Sequence, residues 1–336
     1  MGGDFFMEER TISSNQQHRI AIIGCGALGS EIVFLLAQHE INFMRLVDRD
    51  FLEKADRGSH CLYKEHNFLE GMPKAIALKE LCEEKAASVK IEAIVEDVNR
   101  TNILSLLEDI DLVIDAVNNR FTHQLINEAC VNLKRPLLVS WIDGSHGAAM
   151  TVIPGKTSCL NCILESKEAM PDISLNKTKS PLPQTISAIA EAQVFRAIEI
   201  LKNAKQKFEQ RLLVIDGKNS ARNTIDITKS KIQPNCAVCN NRQFRRLDGK
   251  IGSAHIHPIG ENSLQIIPFT PRKIDLPTLA FNLSEKGDVL VNDFLLIFKK
   301  PPYELVIFPS GRTLVRGTTD SGIAMDLVKK FLVSGK

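Results

Sequence analysis

Residues 20–48, IAIIGCGALGSEIVFLLAQHEINFMRLVD, contain the strand, glycine loop, helix and strand that decide the fold. The first apolar run ends at Gly24, and Gly24, Gly26 and Gly29 form a G-x-G-x-x-G pattern before a segment with helical periodicity. In that context, backbone N–H groups can approach a phosphate at the helix N-terminus. Asp48 ends the second apolar run about 20 residues later, where a carboxylate can accept a hydrogen bond from a ribose hydroxyl. The stretch predicts a nucleotide-binding βαβ unit and leaves NAD, FAD and ATP open.

The alternation of short apolar runs with helical segments continues to residue 245. We predict strands at 20–24, 43–48, 90–98, 111–116, 136–141, 148–154 and 211–216. We predict helices at 28–39, 73–86, 101–108, 120–133 and 186–203. Because such alternation is typical of βαβ units, residues 19–245 are expected to form a Rossmann-like domain with a mostly parallel sheet. The polar, proline-rich segment 165–185 has no periodicity and is expected to be a mobile crossover loop.

A different pattern follows at residues 264–332. These residues predict a strand, a helix, three strands and a helix, with a tight turn at Ser310-Gly311 and a last helix that starts near Asp320. We therefore expect a small C-terminal α+β domain at 260–336. Residues 1–18 are assigned to an N-terminal arm.

Composition narrows the class of protein. The 336 residues include 42 Lys and Arg against 40 Asp and Glu, a formal net charge of +2. Because no basic tract carries interleaved aromatics, nucleic acid is not an expected partner. The apolar runs are shorter than the roughly 20 residues that span a bilayer, so no membrane segment is predicted. The N-terminus has no basic start followed by an apolar stretch, so we predict no secretory signal and expect a cytoplasmic protein.

Four of the eight cysteines form two C-x-x-C pairs, CLNC at Cys159 and Cys162 and CAVC at Cys236 and Cys239. Two matched pairs of thiolates suit a closed, structural, tetrahedral Zn²⁺ site. Redox chemistry is the alternative interpretation, but no thioredoxin-like pattern accompanies either pair. The remaining cysteines are expected to be small buried hydrophobic residues: Cys25, Cys61, Cys82 and Cys130.

Six motifs occur in one order: the loop GCGALGS, the strand end VDRD, the helix start MPKA, the strand end IDAVNN, the turn IPGKTSCLNC and the second C-x-x-C. The combination resembles the ThiF/MoeB/HesA family, relatives of ubiquitin-activating enzymes, over residues 19–245. The C-terminal part is similar to the extra domain of some Gram-positive ThiF-type adenylyltransferases. The resemblance implies adenylation, with ATP and Mg²⁺, of the C-terminal glycine of a ubiquitin-like sulfur carrier of the ThiS/MoaD kind, or of a related peptide. It also implies a homodimer, or a heterodimer with a family member, and a structural role for the zinc.

The resemblance assigns site residues by position. The phosphate-proximal loop corresponds to Gly24, Gly26, Gly29 and Ser30. Asp48 corresponds to the ribose ligand, and Asp50 is the second acid of that strand end. Lys74 in MPKA corresponds to a lysine whose charge offsets that of the departing pyrophosphate.

Two departures from the family pattern fall on positions that the chemistry needs. Asn118 in IDAVNN replaces the carboxylate that holds Mg²⁺ in the family, and a neutral amide is a weaker ligand for a hard cation. Ser59 replaces an arginine that contacts phosphate. Asp56, which replaces an asparagine, and Asp115 are the candidates to assist the metal, and Arg57 is the candidate to reach the phosphates.

Three functions follow from these residues. The first is an adenylyltransferase in which Lys74 acts on the leaving pyrophosphate. The second is a partner subunit that binds nucleotide and carrier but has lost the chemistry, as the changes at Ser59 and Asn118 suggest. The third is an NAD-dependent oxidoreductase, which the zinc pairs fit poorly because four thiolates leave no open coordination position.

Overall fold

The computed structural model describes residues 18–39, 41–52, 62–63, 71–85, 89–165, 179–202, 210–227, 235–251, 256–258, 262–268 and 273–333. The chain divides into two compact units, Met1–Ile251 and Gly252–Lys336. Each unit has its own sheet and its own apolar core. Among the described residues, no helix has the length and apolar composition that crossing a membrane requires.

The described residues of the first unit form an eight-stranded sheet. Its strands are β1 (Arg19–Ile23), β2 (Phe43–Val47), β3 (Lys90–Ile94), β4 (Leu112–Asp115), β5 (Leu137–Asp143), β6 (His146–Val152), β7 (Arg211–Asp216) and β8 (Ala221–Asp226). Their spatial order is β3-β2-β1-β4-β5-β6-β7-β8. The pairs from β3 to β5 are parallel, and β6, β7 and β8 extend the sheet in antiparallel pairs. The predicted Rossmann-like, mostly parallel sheet is confirmed.

Helices cover both faces of this sheet because its central strands are apolar on both sides. The helices are α1 (Ala27–Leu36), α2 (Lys74–Lys85), α3 (Ile103–Leu107), α4 (Arg120–Leu133), α5 (Leu160–Glu165) and α6 (Pro183–Lys202). Ile20 and Ile22 of β1 point to the core that contains residues of α1, α2 and α6. Ala21 and Ile23 point to the opposite core, which contains residues of α3, α4 and α5.

Three details of this unit differ from the predicted elements. β8 is not predicted, because its sequence ARNTID lacks apolar alternation and most of its residues are exposed at the sheet edge. Cys162 of the first C-x-x-C pair lies in a short helix, α5, that is not among the predicted helices. α6 begins at Pro183, inside the predicted loop 165–185, because the fixed φ of proline suits a first helical turn. Residues 166–178 of that loop lie outside the described residues.

The second unit is an α+β structure built on an antiparallel sheet. The strands in its described part are β9 (Ile256–Pro258), β10 (Ser263–Ile266), β11 (Asp288–Val291), β12 (Leu296–Lys300), β13 (Tyr303–Ile307) and β14 (Thr313–Arg316). They lie in the order β11-β12-β13-β14-β10-β9. The helices α7 (Leu276–Ser284) and α8 (Ser321–Val328) share a core with this sheet, and Lys329–Val333 continue α8 as a π-helical turn.

Two local predictions in this unit are confirmed and one is wrong. Gly311, at φ +81°, forms the predicted turn between β13 and β14. Asp320 caps α8, since its Oδ1 accepts hydrogen bonds from the N–H groups of Gly322 (2.7 Å) and Ile323 (3.0 Å). The described residues between α7 and α8 form four strands where the sequence predicts three.

Candidate functional site

A cleft opens at the carboxyl ends of β1, β2, β3 and β4 and is called the switch-point cleft here. The strand order reverses between β1 and β4, which is where doubly wound sheets bind ligands. Each strand end contributes lining residues. They are Gly24 and Gly26 after β1, Asp48, Arg49 and Asp50 after β2, Glu96, Asp97 and Val98 after β3, and Ala116, Val117, Asn118 and Asn119 after β4. Lys74 of α2 and Thr122 of α4 complete this side of the cleft.

The three glycines of the loop serve different purposes. Gly24 has φ +97°, and a Cβ on it would lie 2.7 Å from the carbonyl oxygen of Ala116. A Cβ on Gly29 would lie 1.8 Å from the carbonyl oxygen of Gly24, so this glycine permits the helix to pack on the loop. A Cβ on Gly26 would meet nothing within 4 Å. Because Gly26 lines the cleft at the N-terminus of α1, its lack of a side chain leaves backbone accessible to a ligand there.

Ser30 and Cys25, although adjacent to these glycines, face the protein interior. Ser30 is fully buried, and its hydroxyl donates to the carbonyl oxygen of Ala27 (3.1 Å) within α1. It does not line the switch-point cleft. Cys25, Cys82 and Cys130 are buried, which confirms the prediction for these three thiols. Cys61 lies outside the described residues.

The carboxylate of Asp48 ties the glycine loop to the end of β2. Oδ2 accepts a hydrogen bond from the backbone N–H of Cys25 (2.6 Å), and Oδ1 accepts one from the N–H of Asp50 (2.7 Å). Burial raises the pKa of Asp48, the neighbouring charge of Asp50 adds to the rise, and Lys74 partly offsets it. A carboxylate oxygen has more than one acceptor position, so Asp48 can still accept from a ribose hydroxyl in the cleft.

Lys74 is held at the start of α2 beside this strand end. Its backbone N–H donates to the carbonyl oxygen of Asp50 (2.9 Å), and the residue lines the cleft. A cation is electrostatically unfavourable at a helix N-terminus unless anions lie nearby. Asp48 supplies such a charge, and a bound phosphate would supply another.

Arg49, Asp97 and Glu96 also line the cleft, and the sequence analysis did not identify them. Arg49 forms an ion pair with Asp97 (2.6 Å) and lies 3.6 Å from Asp50. Glu96 accepts a hydrogen bond from the side-chain amide of Asn102 (2.9 Å). The predicted third strand runs to residue 98, whereas β3 ends at Ile94, which leaves the acidic pair at the sheet edge. The sequence signal that could have identified Glu96 and Asp97 is their position as two adjacent acids near the end of the predicted third strand.

Asp115 does not lie in the cleft. Asp115 and His123 are both fully buried, with His123 Nδ1 2.7 Å from Asp115 Oδ2, and neither residue lines the cleft. The cleft receives Asn118 and Asn119 from the end of β4, and Asn119 caps α4 by accepting from the N–H of Thr122 (2.9 Å). The suggested role of Asp115 as a metal ligand therefore conflicts with its place in this structure, because its carboxylate is engaged behind the wall of the cleft.

Asp56, Arg57 and Ser59 lie outside the described residues. Of the other predicted site residues, the cleft is lined by Gly24, Gly26, Asp48, Asp50, Lys74 and Asn118, and it is not lined by Gly29, Ser30 or Asp115.

The four cysteines of the two C-x-x-C pairs meet in a second site. Their Sγ atoms all lie within 4.8 Å of one another, with separations of 3.9 Å (Cys159 to Cys162), 3.8 Å (Cys159 to Cys236) and 3.4 Å (Cys162 to Cys239). Zn–S bonds of about 2.3 Å in a tetrahedron put sulfurs about 3.8 Å apart, whereas a disulfide needs about 2.05 Å. The cluster therefore fits a four-thiolate zinc ion.

The four-cysteine cluster is anchored to α4. The N–H of Leu160 donates to Asn127 Oδ1 (3.0 Å), which fixes the start of α5. Beyond the second pair, Arg246 donates to Glu128 Oε1 (3.0 Å) and Gln124 Oε1 (2.7 Å), and its backbone N–H donates to Glu128 Oε2 (2.8 Å). Glu128 is 1% exposed. This ion pair, whose carboxylate is buried, holds the segment that follows the cluster against α4.

Comparison with known proteins identifies a family and relatives that match most of this chain. The profile of the ThiF family matches residues 5–238. The chain is 28% identical over 319 residues to the protein named Sulfur carrier protein ThiS adenylyltransferase from Bacillus subtilis (strain 168), an alignment that covers 94% of this chain and 93% of the relative. It is 27% identical over 224 residues to Protein HesA from Nostoc sp. (strain PCC 7120 / SAG 25.82 / UTEX 2576), covering 66% of this chain and 84% of that protein.

Among solved structures, the crystal structure of E. coli MccB with ATP has the same fold. It superposes with a TM-score of 0.56 at 18% sequence identity, over 66% of each chain.

Proposed function

This chain belongs to the ThiF family, and from that premise we propose that it adenylates the C-terminal glycine of a ubiquitin-like sulfur carrier, or of a related peptide, with ATP. The observation that carries the proposal is the convergence of Gly26, Asp48 and Lys74 on one switch-point cleft. The name of the relative from B. subtilis supports a sulfur carrier of the ThiS kind as the acceptor.

The proposed reaction uses the cleft residues for binding and charge compensation. Backbone N–H groups at Gly26 and the N-terminus of α1 would bind phosphate, and Asp48 would accept from the ribose. The glycine carboxylate attacks the α-phosphorus and forms an acyl adenylate, while the bond to pyrophosphate breaks. Lys74 would offset the charge that accumulates on the departing pyrophosphate.

The ion that accompanies ATP requires oxygen ligands. Asp50 and the amide oxygen of Asn118 line the cleft and would provide two, and Asp56 remains the proposed additional carboxylate. Mg²⁺ bound there would stabilise charge on the phosphates.

The proposal also includes a structural metal ion and a protein partner. We assign the four-cysteine cluster to a structural Zn²⁺, since a closed thiolate set leaves no position for substrate. Pairing with a second copy of the chain, or with another family member, also remains part of the proposal.

The test is ATP–pyrophosphate exchange by the zinc-loaded protein in the presence of a purified sulfur carrier that ends in Gly-Gly. Lys74→Ala should lower the exchange rate by about 10²-fold or more, because it removes a preorganised charge. Lys79→Ala is the matched control: Lys79 lies on the same helix, pairs with Glu83 (3.7 Å) and does not line the cleft. Equal rates in both variants would contradict the proposal.

A second candidate is a partner subunit that binds nucleotide and carrier without chemistry. It is favoured by Asn118, an amide in the cleft, together with the engagement of Asp115 by His123. Calorimetric titration with ATP, with and without Mg²⁺, separates the two. Mg²⁺-dependent binding supports the enzyme, whereas binding indifferent to Mg²⁺, with no exchange, supports the partner subunit.

A further inference from the structure

The buried pair of Asp115 and His123 lies directly behind the wall of the switch-point cleft. Both side chains are fully buried, and His123 Nδ1 lies 2.7 Å from Asp115 Oδ2. This separation is that of a hydrogen bond between a ring nitrogen and a carboxylate oxygen, in which an ionised carboxylate would accept and Nδ1–H would donate. Asp115 ends β4 and His123 lies in the first turns of α4, so the bond joins a strand end to a helix start.

The segment between these two residues is the one that lines the cleft. Asp115 Oδ1 accepts a hydrogen bond from the N–H of Val117 (3.2 Å), and the hydroxyl of Ser140 donates to the carbonyl oxygen of Asp115 (3.2 Å). On the opposite side, Gly24 packs so closely on Ala116 that a Cβ would collide with it. The cleft-lining segment 116–119 is thus bounded by the glycine loop and by the Asp115–His123 pair.

A packing role alone does not account for histidine at this position. His123 Nε2 is buried and has no hydrogen-bond partner among the described residues. A buried polar atom without a partner is destabilising, and an apolar side chain of similar size would avoid it. What the histidine supplies is the Nδ1 hydrogen bond to Asp115.

We propose that Asp115 and His123 are positioning residues that fix segment 116–119, and with it Asn118 and the N-terminus of α4, in the conformation that receives the nucleotide. Neither side chain touches the ligand. The inference rests on the proposed function, since the nucleotide is the ligand whose binding the segment would control. It gives Asp115 a role other than that of a metal ligand.

The experiment compares three variants of the zinc-loaded, full-length protein. His123→Leu removes the donor, His123→Asn keeps an amide donor near the Nδ1 position, and Leu125→Ala is a control in the same helix and core. Amide hydrogen exchange of Val117 reports the order of the segment, and calorimetry reports ATP affinity.

His123→Leu should accelerate exchange at Val117 and weaken ATP binding, each by about tenfold or more, because a displaced binding segment loses aligned contacts. His123→Asn should restore both values substantially. Leu125→Ala should lower the melting temperature and leave both values near those of the wild type.

Unchanged exchange at Val117 in His123→Leu, or an equal acceleration in Leu125→Ala, would overturn the inference. If the exchange pattern appears as expected but the wild-type protein binds no ATP, the positioning pair stands and the proposed nucleotide function fails.

Discussion

Gly26 and Gly29 show how neighbouring glycines can be required for different reasons. The backbone at Gly26 is extended, and a Cβ there would meet nothing within 4 Å, whereas a Cβ on Gly29 would overlap the carbonyl oxygen of Gly24. Gly26→Ala should therefore change the free energy of unfolding by less than about 1 kcal/mol, yet weaken ATP binding by about tenfold or more, as its methyl group enters the ligand space. Calorimetry and denaturant unfolding measure the two effects.

Gly29→Ala is the counterpart at the same loop. It should lower the free energy of unfolding by about 1–3 kcal/mol, because the added methyl group must displace the loop. A stable Gly29→Ala protein, or undiminished ATP binding by Gly26→Ala, would contradict the assigned roles.

If Asp48 binds the nucleotide as proposed, the affinity for ATP should depend on pH in a defined direction. Burial raises the pKa of Asp48, so this carboxylate becomes protonated at a higher pH than the ordinary value of about 3.9. A neutral carboxyl group is a weaker acceptor, and ATP affinity should fall as the pH is lowered through that raised pKa. The same shift makes ionised Asp48 unfavourable for folding of the free protein, so its contribution to stability decreases as pH rises from the unfolded to the folded pKa.

The measurement is the ratio of ATP affinities of wild type and Asp48→Asn at each pH, which cancels the titration of ATP itself. The ratio should decline toward acid pH. A ratio independent of pH would show that the Asp48 charge does not contribute to binding.

At the scale of elements, the ion pair between Arg246 and Glu128 should hold the segment that follows the second cysteine pair on α4. Arg246→Met leaves Glu128 buried without its cation and should lower the free energy of unfolding by about 3–5 kcal/mol. Adding Glu128→Gln should recover part of the loss by removing the uncompensated charge. Denaturant unfolding checks both, and Arg245→Met, at an exposed neighbouring residue, is the control expected to have little effect.

The elements that could be predicted from sequence are those whose pattern is set by burial. β1 to β7 carry apolar runs because the sheet packs against cores on both faces. These runs can be recognised in the amino-acid sequence alone. β8 is polar and depends on its pairing with β7, and α5 has too few residues to show a period. These elements follow from tertiary contacts, which the local pattern does not record.

Some residues of the two sites could be predicted from the sequence, and others could not. The cysteine pairs were visible because the ligands of each pair are close in sequence. Glu96 and Asp97 line the cleft because β3 ends at Ile94, and the sequence does not indicate that end. Asp115 is predicted to lie in the cleft because the sequence of a strand end does not reveal which side of the sheet its carboxylate faces. His123 became apparent only from its contact with Asp115.

For the whole molecule, the four cysteines proposed to bind zinc all belong to the first unit, and the second unit has a separate core. Removing the metal with a chelator should therefore lower the unfolding temperature of the first unit and leave amide exchange in the core strands β12 and β13 unchanged. Cys239→Ser should reproduce the effect because a thiolate ligand is lost, and Cys82→Ala, at a buried cysteine outside the cluster, should leave zinc content unchanged. Exchange rates that rise equally in both units would contradict this separation.

The distance along the chain between the two cysteine pairs has a consequence for biosynthesis. Cys159 and Cys236 are 77 residues apart, and the intervening chain includes α6, β7 and β8. During vectorial synthesis, the nascent polypeptide presents the first pair long before the second emerges, so the full set of thiolates assembles only after the antiparallel edge of the sheet has been translated. Metal capture would then act as a checkpoint on completion of the first unit, and a ribosome-bound chain that stops short of Cys239 should fail to retain zinc.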